Sequence, residues 1–326
     1  MNICILGLGV IGTTYAYALQ KAGHNVAHFV RESKKEKKGQ TINIQLLDGR
    51  ENPKGIEQTD SYFIKLAQPD SNYDFIFLSL SMGKLEMAMK TLSDYNIKGN
   101  IILMCGMWEA VEQIDKIMEP YPYILGYPVA GGTITEDLLD CVLFDHIALE
   151  SQENSSLSSS NYSALIKAFG DAKIKIETPH NMLEWIWVHM AVNAGLIATA
   201  AKYADSIDAP DGALKASERL MNSPEILSEA VLAVREAVKI VEARGVDLKK
   251  YKEDVNPFKI PSKIAGIVFK KMFAKNELTR RIMLLHNNAY DLIYICESVY
   301  DCGQQLKVKA PLFYANSQIC LDKLKE

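Results

Sequence analysis

Residues 2–12, Asn2-Ile3-Cys4-Ile5-Leu6-Gly7-Leu8-Gly9-Val10-Ile11-Gly12, hold the pattern from which the rest of the fold can be read. Ile3 to Leu6 is an apolar run of strand length that ends on a glycine. Gly7 permits the tight turn, Gly9 lets the backbone come close to a ligand, and Gly12 lets the following helix pack on the strand. A helix opening near Val10 presents unpaired N–H groups and a partial positive charge, which suit a diphosphate. The backbone of Gly7, Leu8, Gly9, Val10, Ile11 and Gly12 is therefore expected to cradle a dinucleotide. The context agrees, because a second strand, Asn25 to Val30, ends about twenty residues further on.

Outward from this stretch, short apolar runs alternate with helix-like segments as far as Pro179. Asn25 to Val30, Phe75 to Ser79, Ile101 to Met104 and Ile124 to Tyr127 read as further strands. Strands alternating with helices imply an α/β fold with a doubly wound parallel sheet of Rossmann type. Ser151 to Ser160 reads as an exposed loop, followed by a helix from Tyr162 to Phe169 and a strand from Lys173 to Glu177. Gly126 to Gly132 reads as a glycine-rich loop. Beyond His180 strand signals vanish. Helical patterns cover Met182 to Tyr203, Pro224 to Arg244, Pro261 to Phe273 and a single long stretch from Asn276 to Leu306. We therefore expect a nucleotide-binding domain over 1–179 and a helical substrate and dimerisation domain over 180–326.

Bulk properties narrow the function. The chain has 326 residues, more than one hydrophobic core usually serves. A net charge of -4 supplies no field for nucleic acid. The six cysteines form no CxxC pair, which argues against a structural zinc or a disulfide framework and fits the reducing cytoplasm. The charge-free start lacks the basic leader of a secretory signal, so it reads as a buried strand. Trp185 to Ala201 contains His189 and Asn193 and reads as a charge-poor core helix, not a membrane span.

Which dinucleotide binds is decided after the second strand. An acidic residue there suits the ribose of NAD, whereas the 2′-phosphate of NADP needs a cation. Arg31 stands at this place, and its planar guanidinium suits a phosphate. Lys34, Lys35, Lys37 and Lys38 read as a solvated loop. The cofactor expected is NADP(H).

With these features the sequence resembles the ketopantoate reductase (2-dehydropantoate 2-reductase) family. The resemblance rests on the Gly7–Gly12 loop, Arg31, the strand entering Cys105-Gly106-Met107, the helix around Trp187 to Ala200, and a last long helix running to Gly303 and Pro311. It implies a Rossmann domain followed by an all-helical domain like the C-terminal domain of 6-phosphogluconate dehydrogenase. It also implies delivery of hydride from NADPH to a small 2-oxo acid, ketopantoate by default. The family's catalytic lysine and two following asparagines correspond to His189, Asn193 and Ile197, which share one helix face at i, i+4 and i+8. Cys105 replaces an asparagine and Ser81 a lysine near the cofactor, and Thr279 stands for a substrate-binding serine. The family's glutamate falls on Asp291, or on Asn288 with a three-residue slip.

A carbonyl that accepts hydride needs a proton donor beside its oxygen, and histidine can serve as well as lysine. His189 held by Asp291 would form such a pair, as in the opine dehydrogenases, if their helices face each other. An opine-type imine reductase and a non-catalytic NADPH sensor are the alternative readings.

Overall fold

The computed structural model describes residues 1–30, 40–80, 82–204, 211–285 and 288–325, and divides into two compact units, Met1–Leu183 and Glu184–Glu326. The first unit runs β1 (Asn2–Leu6), α1 (Val10–Lys21), β2 (Asn25–Phe29), β3 (Thr41–Asp48), β4 (Ile56–Phe63), β5 (Asn72–Leu78), α2 (Leu85–Asp94) and β6 (Lys98–Met104). It continues with α3 (Val111–Met118), β7 (Tyr123–Tyr127), β8 (Ala130–Ile134), β9 (Leu138–Leu143), β10 (His146–Leu149), α4 (Ser159–Asp171) and β11 (Lys175–Glu177).

The main sheet has the order β11-β10-β7-β6-β5-β1-β2. From β7 to β2 the strands are parallel, so their carboxyl ends share one edge. The parallel order ends at one side, where β10 runs antiparallel to β7. The reason is a detour between them: β8 and β9 leave the main sheet and join β3 and β4 in a second sheet of order β4-β3-β9-β8. Gly126 to Gly132 is accordingly not a loop but the end of β7 and the start of β8. Gly132 serves strand contact there, since a Cβ would strike the Asp140 carbonyl and come 2.8 Å from Cys141 Cα.

Helix α1 explains the charge-free start of the chain. Gly12 through Leu19 are buried without interruption. A surface helix buries a stripe; one buried on every side must be covered twice. Ile3, Ile5 and Phe77 of the main sheet and Ile42, Ile44, Leu139 and Cys141 of the second sheet share its core cluster. Tyr15 stands in the middle, with its ring 6.5 Å from Phe77 and 6.3 Å from Phe169.

The helical region runs α5 (Met182–Lys202), α6 (Gly212–Asn222), α7 (Pro224–Ala243), α8 (Lys252–Val255), α9 (Ser262–Lys275), α10 (Glu277–Leu285), α11 (Ala289–Gln305) and α12 (Pro311–Lys325). The long helix expected over Asn276 to Leu306 is two helices. Asn288 caps the second of them, its Oδ1 accepting the Tyr290 N–H at 3.2 Å, which gives the backbone a local reason to restart. α5 and α7 are antiparallel. Lys202 pairs with Glu229, Gly195 sits so close to Val234 that a Cβ would meet its backbone at 2.7 Å, and the Arg244 guanidinium lies 3.5 Å above the Trp187 ring centre. α12 runs against α7, its Leu312 N–H donating to Glu236 and its Asn316 side chain to Glu229. α11 runs against α12, with Gly303 packed on Tyr314 and Ile240, and Cys296 on Cys320.

Candidate functional site

The glycine turn has the geometry its spacing predicts. Gly7 has φ +96°, a conformation that side-chain-bearing residues rarely adopt. The three glycines differ in what surrounds them. A Cβ on Gly12 would lie 2.7 Å from Ile5 Cγ2, so Gly12 lets α1 pack on β1. Among the described residues a Cβ on Gly9 would meet nothing within 4 Å, so none of them requires a glycine there. Gly9 is the N-cap of α1 and contributes no side chain to cap it, and the first turn holds no acidic residue. The first intrahelical backbone bond is Thr13 N–H to Gly9 O at 2.9 Å. The N–H groups of Val10, Ile11 and Gly12 therefore precede the helix ladder and stand at an exposed glycine. An open space over unpaired donors at a positive helix end fits a diphosphate.

The parallel strands bring other predicted residues to the same edge. Gly7 follows β1, and Cys105 follows β6, buried at 5% exposure. Arg31 follows β2 by two residues and Ser81 follows β5 by three, and both lie outside the described residues, as do Lys34, Lys35, Lys37 and Lys38. Lys84 is exposed at the start of α2.

On α5, His189 is half-buried and its ring stacks on Trp185, with centroids 5.0 Å apart and planes 18° from parallel. Trp185 is itself tied down, its Nε1–H donating to Asp254 at 3.1 Å. Asn193 lies one turn further on the same face and Ile197 another, both half-buried. Thr279 sits in the first turn of α10, its N–H donating to Asn276 Oδ1 at 3.0 Å.

The comparisons with known proteins bear on both regions. Residues 3–137 match the family model described as "Ketopantoate reductase PanE/ApbA". Over these residues the chain is similar to the ketopantoate reductase family. No curated protein matches the chain in sequence. Among solved structures, a dimeric ketopantoate reductase from Staphylococcus aureus is similar at 15% identity and a TM-score of 0.63, covering 100% of this chain and 99% of that one. A D-mandelate dehydrogenase with NADH and anilino(oxo)acetate is similar at 13% identity and a TM-score of 0.66, with the same coverage. The 2-dehydropantoate 2-reductase from Geobacter metallireducens GS-15 is similar at 12% identity and a TM-score of 0.64, covering 99% of each chain. The fold of the whole chain is thus the ketopantoate reductase fold.

α11 is antiparallel to α12, which runs alongside α5, with Asn316 bonded to Thr199 and Lys323 to Ala204 O. Cys296 and Ile293 of α11 accordingly share a cluster with Ile197, Ala198 and Ala201 of α5. Asp291 lies in the first turn of α11, beside its capping Asn288, whose Nδ2 donates to Asp291 Oδ2 at 2.8 Å. The alternative registers for the family's glutamate therefore point to one place, the amino end of α11.

Two features of the first unit had no sequence signal. His28, fully buried on β2, bonds to the Gly7 carbonyl through Nδ1 at 2.8 Å and to the Tyr62 hydroxyl through Nε2 at 2.8 Å. Burial pushes its pKa down to about 4. Glu150, after β10, accepts the Leu125 N–H at 3.1 Å, and burial pushes its pKa up to about 7. Among the described residues no cluster of three His, Cys, Asp or Glu could hold a metal ion, and no helix is long and apolar enough to cross a membrane.

Proposed function

We propose that the protein is an NADPH-dependent reductase of a small carbonyl compound, converting a 2-oxo acid to the 2-hydroxy acid. The observation that carries this reading is the open amino end of α1 at Gly9, where none of the described residues explains the missing side chain. Similar folds that hold NADH or reduce ketopantoate support it. NADPH is preferred to NADH on the residue type of Arg31.

When bound, the reduced nicotinamide supplies the hydride. The remaining chemistry falls to the chain. As the carbonyl oxygen gains charge it must receive a proton, and His189 holds one on its imidazole while the Trp185 stack limits its rotation. Asn193, one turn on, offers amide donors to orient the substrate. Asp291, or Asn288 with a three-residue slip, supports the histidine or contacts the cofactor, and Thr279 binds the substrate. Cys105 and Ser81 line the cofactor edge. The enzyme is cytoplasmic and works as a homodimer, in keeping with six free cysteines and a dimeric structural relative.

The test is consumption of NADPH across a panel of 2-oxo acids, ketopantoate first, followed by aldehydes and by imines formed from 2-oxo acids and amino acids. Turnover of a 2-oxo acid is expected, and Arg31→Ala should raise the KM for NADPH more than that for NADH. Turnover of the imines alone would replace the reading with an opine-type reaction. Ile197 and Cys105, which replace asparagines of the family, favour a second reading, a non-catalytic NADPH sensor. Binding without turnover on the whole panel would select it.

A further inference from the structure

We infer that His28 and Tyr62 are positioning residues for the glycine turn, so that the second sheet governs how tightly the first unit holds a pyridine nucleotide. The inference rests on the cofactor reading above. His28 is fully buried, and all four of its polar groups are engaged. Its N–H donates to Lys65 O at 2.8 Å, and its carbonyl accepts the Ala67 N–H at 2.9 Å. Its ring spans Gly7 and Tyr62 at 2.8 Å on each side. The partners determine the tautomer. A carbonyl can only accept, so Nδ1 carries the proton, and the Nε2 lone pair receives the Tyr62 hydroxyl. Burial keeps the ring neutral at ordinary pH, so this arrangement persists there.

Gly7 is thereby held at both ends of its peptide groups. Its N–H donates to Phe29 O at 2.8 Å and its carbonyl receives His28, so two consecutive β2 residues set the turn. Because peptide groups are planar, fixing the Gly7 carbonyl also fixes the Leu8 N–H and the path into the open donors of α1. Tyr62 belongs to β4 of the second sheet and is fully buried, its ring edge-on to Tyr17 of α1 at 6.4 Å. A chain of two hydrogen bonds therefore joins the second sheet to the phosphate cradle. An apolar residue at position 28 would fill the space and leave the Gly7 carbonyl and the Tyr62 hydroxyl buried without this partner.

The test measures NADPH and NADH dissociation constants on the full chain, each protein held well below its unfolding temperature. Wild type is compared with His28→Leu, His28→Asn, Tyr62→Phe and Leu165→Ala. His28→Leu should weaken binding roughly tenfold or more, the effect of one buried carbonyl losing its donor. His28→Asn, whose amide can still donate to Gly7, should recover most of the loss, and Tyr62→Phe should weaken binding a few-fold. Leu165, buried in the same core cluster, is the control: its truncation should lower Tm and leave the dissociation constants unchanged. Wild-type affinity in His28→Leu, or equal weakening in Leu165→Ala, overturns the inference. Should His28→Leu fail to fold, unchanged affinity in Tyr62→Phe overturns it. Wild type binding neither nucleotide is a different result, because it removes the cofactor reading itself.

Discussion

The glycine turn of the first unit and the α5 face of the second reach their chemistry by different routes. At the turn the functional atoms we propose are backbone N–H groups, and side chains matter by being absent: among the described residues Gly9 has open space around it, and Gly7 has a positive φ. On α5 the functional atoms we propose belong to His189 and Asn193, one helix turn apart, with the His189 ring stacked on Trp185, itself bonded to Asp254. A backbone site tolerates wide change in the surrounding sequence as long as the glycines stay. A side-chain site changes its chemistry with each substitution. The family model matches residues 3–137, the stretch that holds the glycine turn.

The contrast can be broken most forcefully at α5. His189→Ala should lower turnover by roughly 10²–10⁴ while leaving NADPH affinity unchanged; steady-state kinetics and titration on one preparation separate the two, and unchanged turnover in a folded variant removes the histidine from the reaction. At the turn, two glycines three residues apart should fail in opposite ways. Gly9→Leu should abolish measurable nucleotide binding with little change in Tm. Gly12→Leu should lower Tm by forcing Ile5 aside, at a cost of about 1–3 kcal/mol. Loss of stability in the first variant would show that Gly9 is a packing glycine after all.

The first unit also has a pH signature. Glu150 has a raised pKa in the folded state, so between pH 4.5 and about 7 the native state binds more protons than the unfolded one. Its contribution is present below pH 4.5 and lost as pH rises through 7. His28 has a lowered pKa, so its contribution is present above pH 6.5 and lost as pH falls towards 4. Each shift corresponds to up to roughly 3 kcal/mol, and in wild type the two largely cancel across the overlap. Denaturant unfolding of Glu150→Gln should uncover stability that rises with pH from 4 to 6.5; a flat profile would contradict the His28 assignment.

Much of the first unit was legible because its signals are local. Ile3 to Leu6, Gly7 to Gly12 and the apolar strands Phe75 to Ser79 and Ile101 to Met104 carry strong patterns. The second sheet was not, although β3 alternates buried Ile42, Ile44 and Leu46 with exposed Thr41, Asn43 and Gln45. Its partner β4 buries only Tyr62 and otherwise reads as a polar segment. The long pattern from Asn276 to Leu306 hid a helix break because α11 starts on the capping Asn288, with no glycine or proline to announce it. His28 was invisible for another reason. A histidine in an apolar strand has no periodicity that announces what its two nitrogens touch, and its partners come from Gly7 and Tyr62, 21 and 34 residues away.

The central claim is that a pyridine nucleotide binds across the amino end of α1. Calorimetric titration of the full chain with NADPH and NADH, on wild type and Gly9→Leu in parallel, tests it most directly. The account predicts one site per chain in wild type, tighter for NADPH, and no heat of binding in the variant. Equal affinity in the two proteins, or no affinity for either nucleotide in wild type, would contradict it.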